Sequence, residues 1–252
     1  MMEKPVVLTI QFRTNPSSCA HEQACIARAV AESATVEFVS ALDNTLDWNF
    51  PEVIMSKYAG VILGGSGDFD FDGGRAEDDP AKVMSYELLG KLRPLFTYLF
   101  DHDTPTLGIC YGHQLLGAFA GAQVKNFPEQ QKSRSHEVRL IADAHDHFIF
   151  TGLPPTFHAY YGHKDSLDRV PANATLIMEG GDACKVSALR YKNNIYTTQF
   201  HPELTLPDMI ERIKNSPGYL PEGVAIEDLY KDGTDANKLL QNFGQLVAQQ
   251  HV

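Results

Sequence analysis

The run Gly108-Ile109-Cys110-Tyr111-Gly112 constrains this chain more than any other. It follows an apolar run, Pro105–Ile109, that reads as a strand, and it opens a stretch, Gly112–Ala120, that reads as a helix. A chain passes from strand to helix through one cysteine only by a tight turn, and only small residues fit on either side of it. Such a turn puts Cys110 at a helix N-terminus, which favours a thiolate over a thiol. The amide of Tyr111 points into the same space and can donate to an oxyanion. The competing reading is a buried structural thiol, the common fate of a free cysteine. That is the reading for Cys19, Cys25 and Cys184, which lack any such setting.

The rest of the first half repeats the same alternation. Val6–Phe12, Val36–Val39 and Ala59–Leu63 read as buried strands. A helix between the first two, capped by Ser17 or Ser18, runs to about Ser33. Asp79 before Pro80 predicts another helix start, since a carboxylate caps and proline needs no amide partner at the first position. That helix is expected to reach Phe100, bent or broken at Pro94. Strand–helix alternation with β-rich buried runs implies an α/β fold: an open, mostly parallel sheet with helices on both faces. Glu137–Ile141, Ala174–Glu179, Cys184–Tyr191 and Ile195–Phe200 read as strands with few helices between them. They predict an antiparallel extension of the sheet in the second half. From Pro207 the chain is polar and helical. We expect one domain over 1–205 and a helical extension, 206–252, packed on it.

Two further signals also fall just beyond strand ends, the edge where open α/β sheets build their sites. Gln199-Phe200-His201-Pro202-Glu203 closes a strand. His201 and Glu203 are two apart and project to one side of an extended backbone. His201 can take the Cys110 proton, and Glu203 can orient the imidazole. In Gly64-Gly65-Ser66-Gly67 the glycines let backbone amides approach a reacting atom, and the Gly65 amide can pair with that of Tyr111. No Gly-Lys-Ser/Thr and no dinucleotide fingerprint is present. The acid follows the histidine in the chain, unlike the α/β-hydrolase order.

The segments 108–116 (GICYGHQLL), 199–203 (QFHPE) and 60–65 (GVILGG) resemble the class I glutamine amidotransferases, over roughly residues 5–205. The resemblance is greatest to the glutaminase domain of GMP synthase and its free-standing relatives. It implies that Cys110, His201 and Glu203 are catalytic and that the amides of Gly65 and Tyr111 hold the oxyanion. Gln114, Gly162 and His163 are implied to bind substrate, glutamine or a γ-glutamyl compound. Two departures stand out: Ser66 where the family has proline, and the acidic run Asp68, Asp70 and Asp72. No synthetase domain follows, so ammonia is expected to pass to a separate synthetase subunit. The alternatives are a stand-alone γ-glutamyl peptide or amide hydrolase and a silent glutamine-sensing subunit.

Charge excludes other classes. With 21 basic and 32 acidic residues the net charge is −11, which suits neither nucleic acid nor an anionic membrane. The N-terminus is too polar for a signal peptide, and Thr104–Ala122 is interrupted by His113, Gln114 and glycines. A cytoplasmic protein without cofactor is expected. His145-Asp146-His147 with His136 lacks a matching carboxylate or cysteine set, so no metal site is assigned to it.

Overall fold

A computed structural model describes residues 3–130, 133–141, 147–215, 220 and 223–251. Its strands in chain order are β1 (Val6–Gln11), β2 (Thr35–Ser40), β3 (Gly60–Leu63), β4 (Thr106–Ile109), β5 (Val124–Asn126), β6 (Ser133–Leu140), β7 (Thr156–Gly162), β8 (Asp165–Leu167), β9 (Thr175–Gly180), β10 (Cys184–Arg190) and β11 (Ile195–Thr198). The central sheet has nine of them, in the order β2-β1-β3-β4-β11-β10-β9-β6-β7. From β2 to β11 the neighbours run parallel. From β11 to β7 they run antiparallel, the expected extension. A separate ribbon pairs β5 with β8.

Alternation along the central strands supplies two cores. Val7, Ile62, Leu107 and Ile109 face α1 (Pro16–Val30) and α7 (Asn237–Gln250), where Ile26, Val30, Leu240 and Phe243 are buried. Leu8, Ile10, Val61 and Leu63 face α3 (Pro80–His102) and α4 (Tyr111–Phe119). Helices therefore cover both faces, as a parallel sheet requires. Two short helices, α2 (Pro51–Met55) and α6 (Ile226–Leu229), and α5 (Leu206–Asn215) complete the described α-helices.

Helix ends follow local chemistry, with two corrections to the sequence reading. The α1 cap is Asn15, whose side chain accepts from the Ser18 amide, with Pro16 at the first position; Ser17 and Ser18 lie inside the helix. Asp79 caps α3 as expected, through the Ala81 amide. However, α3 runs unbroken through Pro94 to Asp103, which ends it in the left-handed conformation (φ 49°). The proline removes one hydrogen bond, but Leu88, Leu92, Leu95, Phe96 and Leu99 are buried on either side of it. Each such side chain contributes about 1.5–3 kcal/mol on burial, enough to outweigh one lost bond. Among the described residues no helix is long and apolar enough to cross a membrane.

Candidate active site

β4 delivers Cys110 into a strained turn. Its φ is 52° and ψ −96°, and only Asp103 shares a positive φ among the described non-glycine residues. Such a conformation costs about 1–3 kcal/mol and persists only where the surroundings enforce it. They do so by hydrogen bonds. The Cys110 amide donates to Thr198 O at 2.7 Å, the Gln114 amide to Cys110 O at 3.1 Å, and the Gly112 amide to Gly64 O at 3.1 Å. The flanking glycines are sterically required. A Cβ on Gly112 would lie 2.4 Å from Leu63 O, and one on Gly108 would lie 2.8 Å from the Gly112 carbonyl.

β11 lies directly beside β4 and brings the second motif to the same edge. His201 Nδ1 meets Glu203 Oε1 at 2.7 Å, both side chains buried. Nδ1–H donates to the carboxylate, which leaves Nε2 for the thiol side. A Cβ on Gly65 would be 3.1 Å from His201 Cε1 and 3.7 Å from Cys110 Cβ, so all three motifs converge on one point. Burial disfavours the charged imidazole, yet Glu203 and Cys110 outweigh it and raise His201 to about 8. Burial also opposes the Glu203 charge, but His201 and Arg212 outweigh it and hold the carboxyl below its usual range.

Further side chains, two from the motifs and others outside them, engage these groups. Gln199 Nε2 donates to Cys110 Sγ at 3.6 Å, and Gln114 Nε2 donates to Gln199 Oε1 (3.3 Å) and Asp165 O (2.7 Å). Arg212 from α5 sets its guanidinium 3.3 Å from Glu203 Oε1 and 3.2 Å from His201 Nδ1. Because Nδ1–H is committed to Glu203, the second contact is one between charges and not a hydrogen bond. Glu22, 1% exposed, accepts from Gln11 Nε2, from Arg13 Nε and from the Gly65 amide, each at 3.0 Å. The only sequence signal for it was a carboxylate on the buried face of α1, in phase with Ile26 and Val30.

That last bond engages the amide expected to serve the oxyanion: Gly65 N–H donates to Glu22 in this structure. The acidic loop also has a structural reason. Asp68 accepts from the Thr14 amide, Asp70 pairs with Arg75 and Lys164, and Asp72 accepts from the Asn126 amide. Asp165, buried, accepts from the amides of Asp72 and Gly73, and burial raises its pKa.

A cavity of about 520 Å³ opens over Cys110. Tyr111, Gln114, Gly162 and His163 line it, together with Arg13, Ser66, Lys164 and Arg212. At its edge, where His21 lines the cavity, His21, Cys25 and Asp208 bring ligand-type atoms within 4.8 Å of one another. A cation there would have to displace the Arg28 guanidinium from Asp208 (2.6 Å) and ionise Cys25, whose thiol burial pushes up to about 12. His145 and Asp146 lie outside the described residues; His147 bonds Arg190, whereas His136 packs on Tyr161.

A family model described as "Glutamine amidotransferase class-I" matches residues 26–215. The chain is 29% identical to a subunit of the glutamine-hydrolysing GMP synthase of Methanopyrus kandleri over 185 residues, 71% of this chain and 85% of that one. It is 35% identical to the corresponding GMP synthase subunit of Thermoplasma acidophilum over 121 residues, 47% and 57% of the two chains. Among solved structures, a glutamine amidotransferase from Thermotoga maritima superposes with a TM-score of 0.69 at 19% identity, covering 98% of this chain and all of that one.

Proposed function

Since the chain belongs to the class I glutamine amidotransferase family, we propose that it hydrolyses the side-chain amide of glutamine at Cys110 and releases ammonia. Cys110 Sγ, its proton already held on His201 Nε2, attacks the amide carbon as a thiolate. His201 returns that proton to the departing nitrogen, ammonia leaves, and a γ-glutamyl thioester remains. Water, deprotonated by the same imidazole, then releases glutamate and the thiol. Glu203 holds the ring and stabilises its charged form. Tyr111 supplies one oxyanion amide, and Gln114, Gly162 and His163 bind the glutamyl group in the cavity.

The observation that carries this reading is Cys110 held at φ 52° beside the His201–Glu203 pair. Strain of this kind has no use in a structural thiol. Resemblance to proteins that form one subunit of a GMP synthase supports a separate synthetase polypeptide as the ammonia acceptor. The same reading treats 206–252 as an extension of one domain, because α7 shares the core of β1 and β3. A second reading, hydrolysis of γ-glutamyl peptides or amides with larger leaving amines, draws on cavity size. About 520 Å³ falls in the range of about 300–1,000 Å³ that holds drug-sized ligands.

Ammonia and glutamate release from glutamine and a γ-glutamyl peptide panel, for wild type and Cys110→Ala, tests both. We expect turnover by wild type alone. If the variant retains turnover, Cys110 is not the nucleophile.

A further inference from the structure

Two helices meet at the edge of the cavity with ligand-type side chains at helical spacing. On α1, His21 and Cys25 are four apart and share a face. His21 Nε2 lies 3.8 Å from Cys25 Sγ. On α5, Asp208 and Glu211 are three apart, and Glu211 Oε2 lies 4.0 Å from the same His21 nitrogen. One atom each from His21, Cys25 and Asp208 lies within 4.8 Å of the other two. The ligands of a tetrahedral zinc ion stand about 3.4–3.6 Å apart, given bonds of about 2.0–2.3 Å. Side-chain rotation closes that difference, and Glu211, 63% exposed, has room to swing inward. Burial and the Arg212 charge hold His21 below the ordinary histidine range, so its ring is neutral and offers a lone pair. His21 also lines the cavity, which gives an ion a way in.

The geometry points to a site in which His21 Nε2, Cys25 Sγ, an Asp208 oxygen and Glu211 Oε2 bind one thiophilic divalent cation of the zinc class and tie α5 to α1. It does not depend on the hydrolase reading. The donor set excludes hard cations: Mg²⁺ and Ca²⁺ take six or more oxygens, whereas thiolate and imidazole select Zn²⁺. As the sulfur–metal bond forms, the Cys25 proton leaves to solvent, because a coordinating thiol is deprotonated outright. Arg28 must leave Asp208, but that pair sits at the surface, with the guanidinium side chain 52% exposed. Exposed pairs contribute little. The Thr205 amide and hydroxyl keep their bonds to Asp208 Oδ2 and orient the carboxylate, as partners of metal ligands do. Charge balance survives the exchange. In the empty site two carboxylates and the Arg28 guanidinium leave one net negative charge. In the filled site a doubly charged ion with three anionic ligands also leaves one. Arg212, next in the chain after Glu211, therefore keeps its place on Glu203 without a new net charge beside it.

The test uses the full chain with Cys110→Ala, so that the thiol in the cavity cannot ligate, alone and combined with Cys25→Ser or His21→Gln. Co²⁺ is the spectroscopic probe and Zn²⁺ its competitor. The expected result is a single bound Co²⁺ with a thiolate-to-cobalt charge-transfer band and the strong visible bands of a tetrahedral ion, all bleached by equimolar Zn²⁺. Saturating Zn²⁺ should also raise the urea midpoint of the Cys110→Ala protein, since an ion that binds the folded chain stabilises it. Adding Cys25→Ser should abolish the charge-transfer band and the midpoint shift. It should weaken Zn²⁺ by more than about 100-fold, the most that an outer partner of a ligand is worth. His21→Gln should weaken Zn²⁺ to a similar degree. A folded Cys110→Ala protein with no thiolate band overturns the proposal, and so does a band that survives Cys25→Ser, which puts the ion on another thiol. If Cys25→Ser does not fold, His21→Gln decides, and an unchanged Zn²⁺ affinity in that variant overturns the site.

Discussion

Replacing Arg212 with glutamine should move the alkaline limb of glutamine hydrolysis upward. Arg212 sits 3.2 Å from His201 Nδ1 and 3.3 Å from Glu203 Oε1. Its charge works against the imidazolium, so the value of about 8 for His201 is reached despite it. Two charges about 4 Å apart are worth about 4 kcal/mol at an effective dielectric of 20. If a third of that survives relaxation and water entry, the imidazolium gains roughly 1.4 kcal/mol, or about one pKa unit. On the proposed mechanism His201 must be protonated to expel ammonia, so kcat/KM falls as pH rises through its pKa. The limb should therefore move from about 8 by about one unit upward. The stability cost is bounded by charge balance. His201, Glu203 and Arg212 together carry one net positive charge; without Arg212 a neutral ion pair remains. The loss should be near about 1.5–3 kcal/mol, that of a hydrogen bond to a charged group. It should stay below the roughly 3–5 kcal/mol for stripping a buried ion of its partner. A pH series of kcat/KM and a urea melt measure both quantities. A limb that stays in place or moves down in a folded variant refutes the electrostatic role assigned to Arg212.

Two other outcomes follow from buried or strained groups. Burial lowers His113 to about 3, so below the unfolded value the unfolded chain takes up a proton that the folded one refuses, and stability falls with pH. Between about pH 7.5 and 4.5 this amounts to roughly 2.7 kcal/mol; urea melts at the two pH values should show His113→Asn losing less stability than wild type by about that amount, and an equal loss in both sinks the assignment. Cys110→Gly relieves the positive φ and should gain about 1 kcal/mol in stability while abolishing ammonia release; a variant less stable than wild type would mean that the turn holds no strain.

The parts of the site that the sequence exposed are those encoded within a few residues. The Cys110 turn announces itself because both flanks must be glycine and the strand before it is apolar. His201 and Glu203 are legible because a two-residue spacing on extended chain fixes their sidedness. The contacts of Arg13, Glu22 and Arg212 were not legible, because they exist only after the chain has folded. Their partners lie across the chain: Glu22 bonds Gly65, 43 positions away. The bond from Gly65 to Glu22 was hidden for the same reason, since nothing local shows that a helix carboxylate will claim that amide. The fold followed a similar division. β7 was missed because its aromatic run, Thr156–Gly162, carries no clean alternation, with Ala159, Tyr160 and Tyr161 buried in succession. Pro94 suggested a break that the apolar stripe of α3 overrode.

The position of β11 bears on how the protein is made. It is the last of the described strands in the chain, yet it lies in the middle of the sheet, between β4 and β10. A ribosome therefore releases the thiol long before the base. Until the residues near 195–203 emerge, β4 has an open edge, and the Cys110 amide lacks Thr198 O, one of the bonds that force the turn. A nascent chain carries Cys110 without its imidazole and without part of its strain. On the proposed mechanism, nucleophilicity thus arrives with closure of the sheet, in a late, long-range step of the kind that makes folding slow. A truncated or misfolded copy is left with an ordinary thiol, so the topology itself keeps an unfinished chain from hydrolysing glutamine.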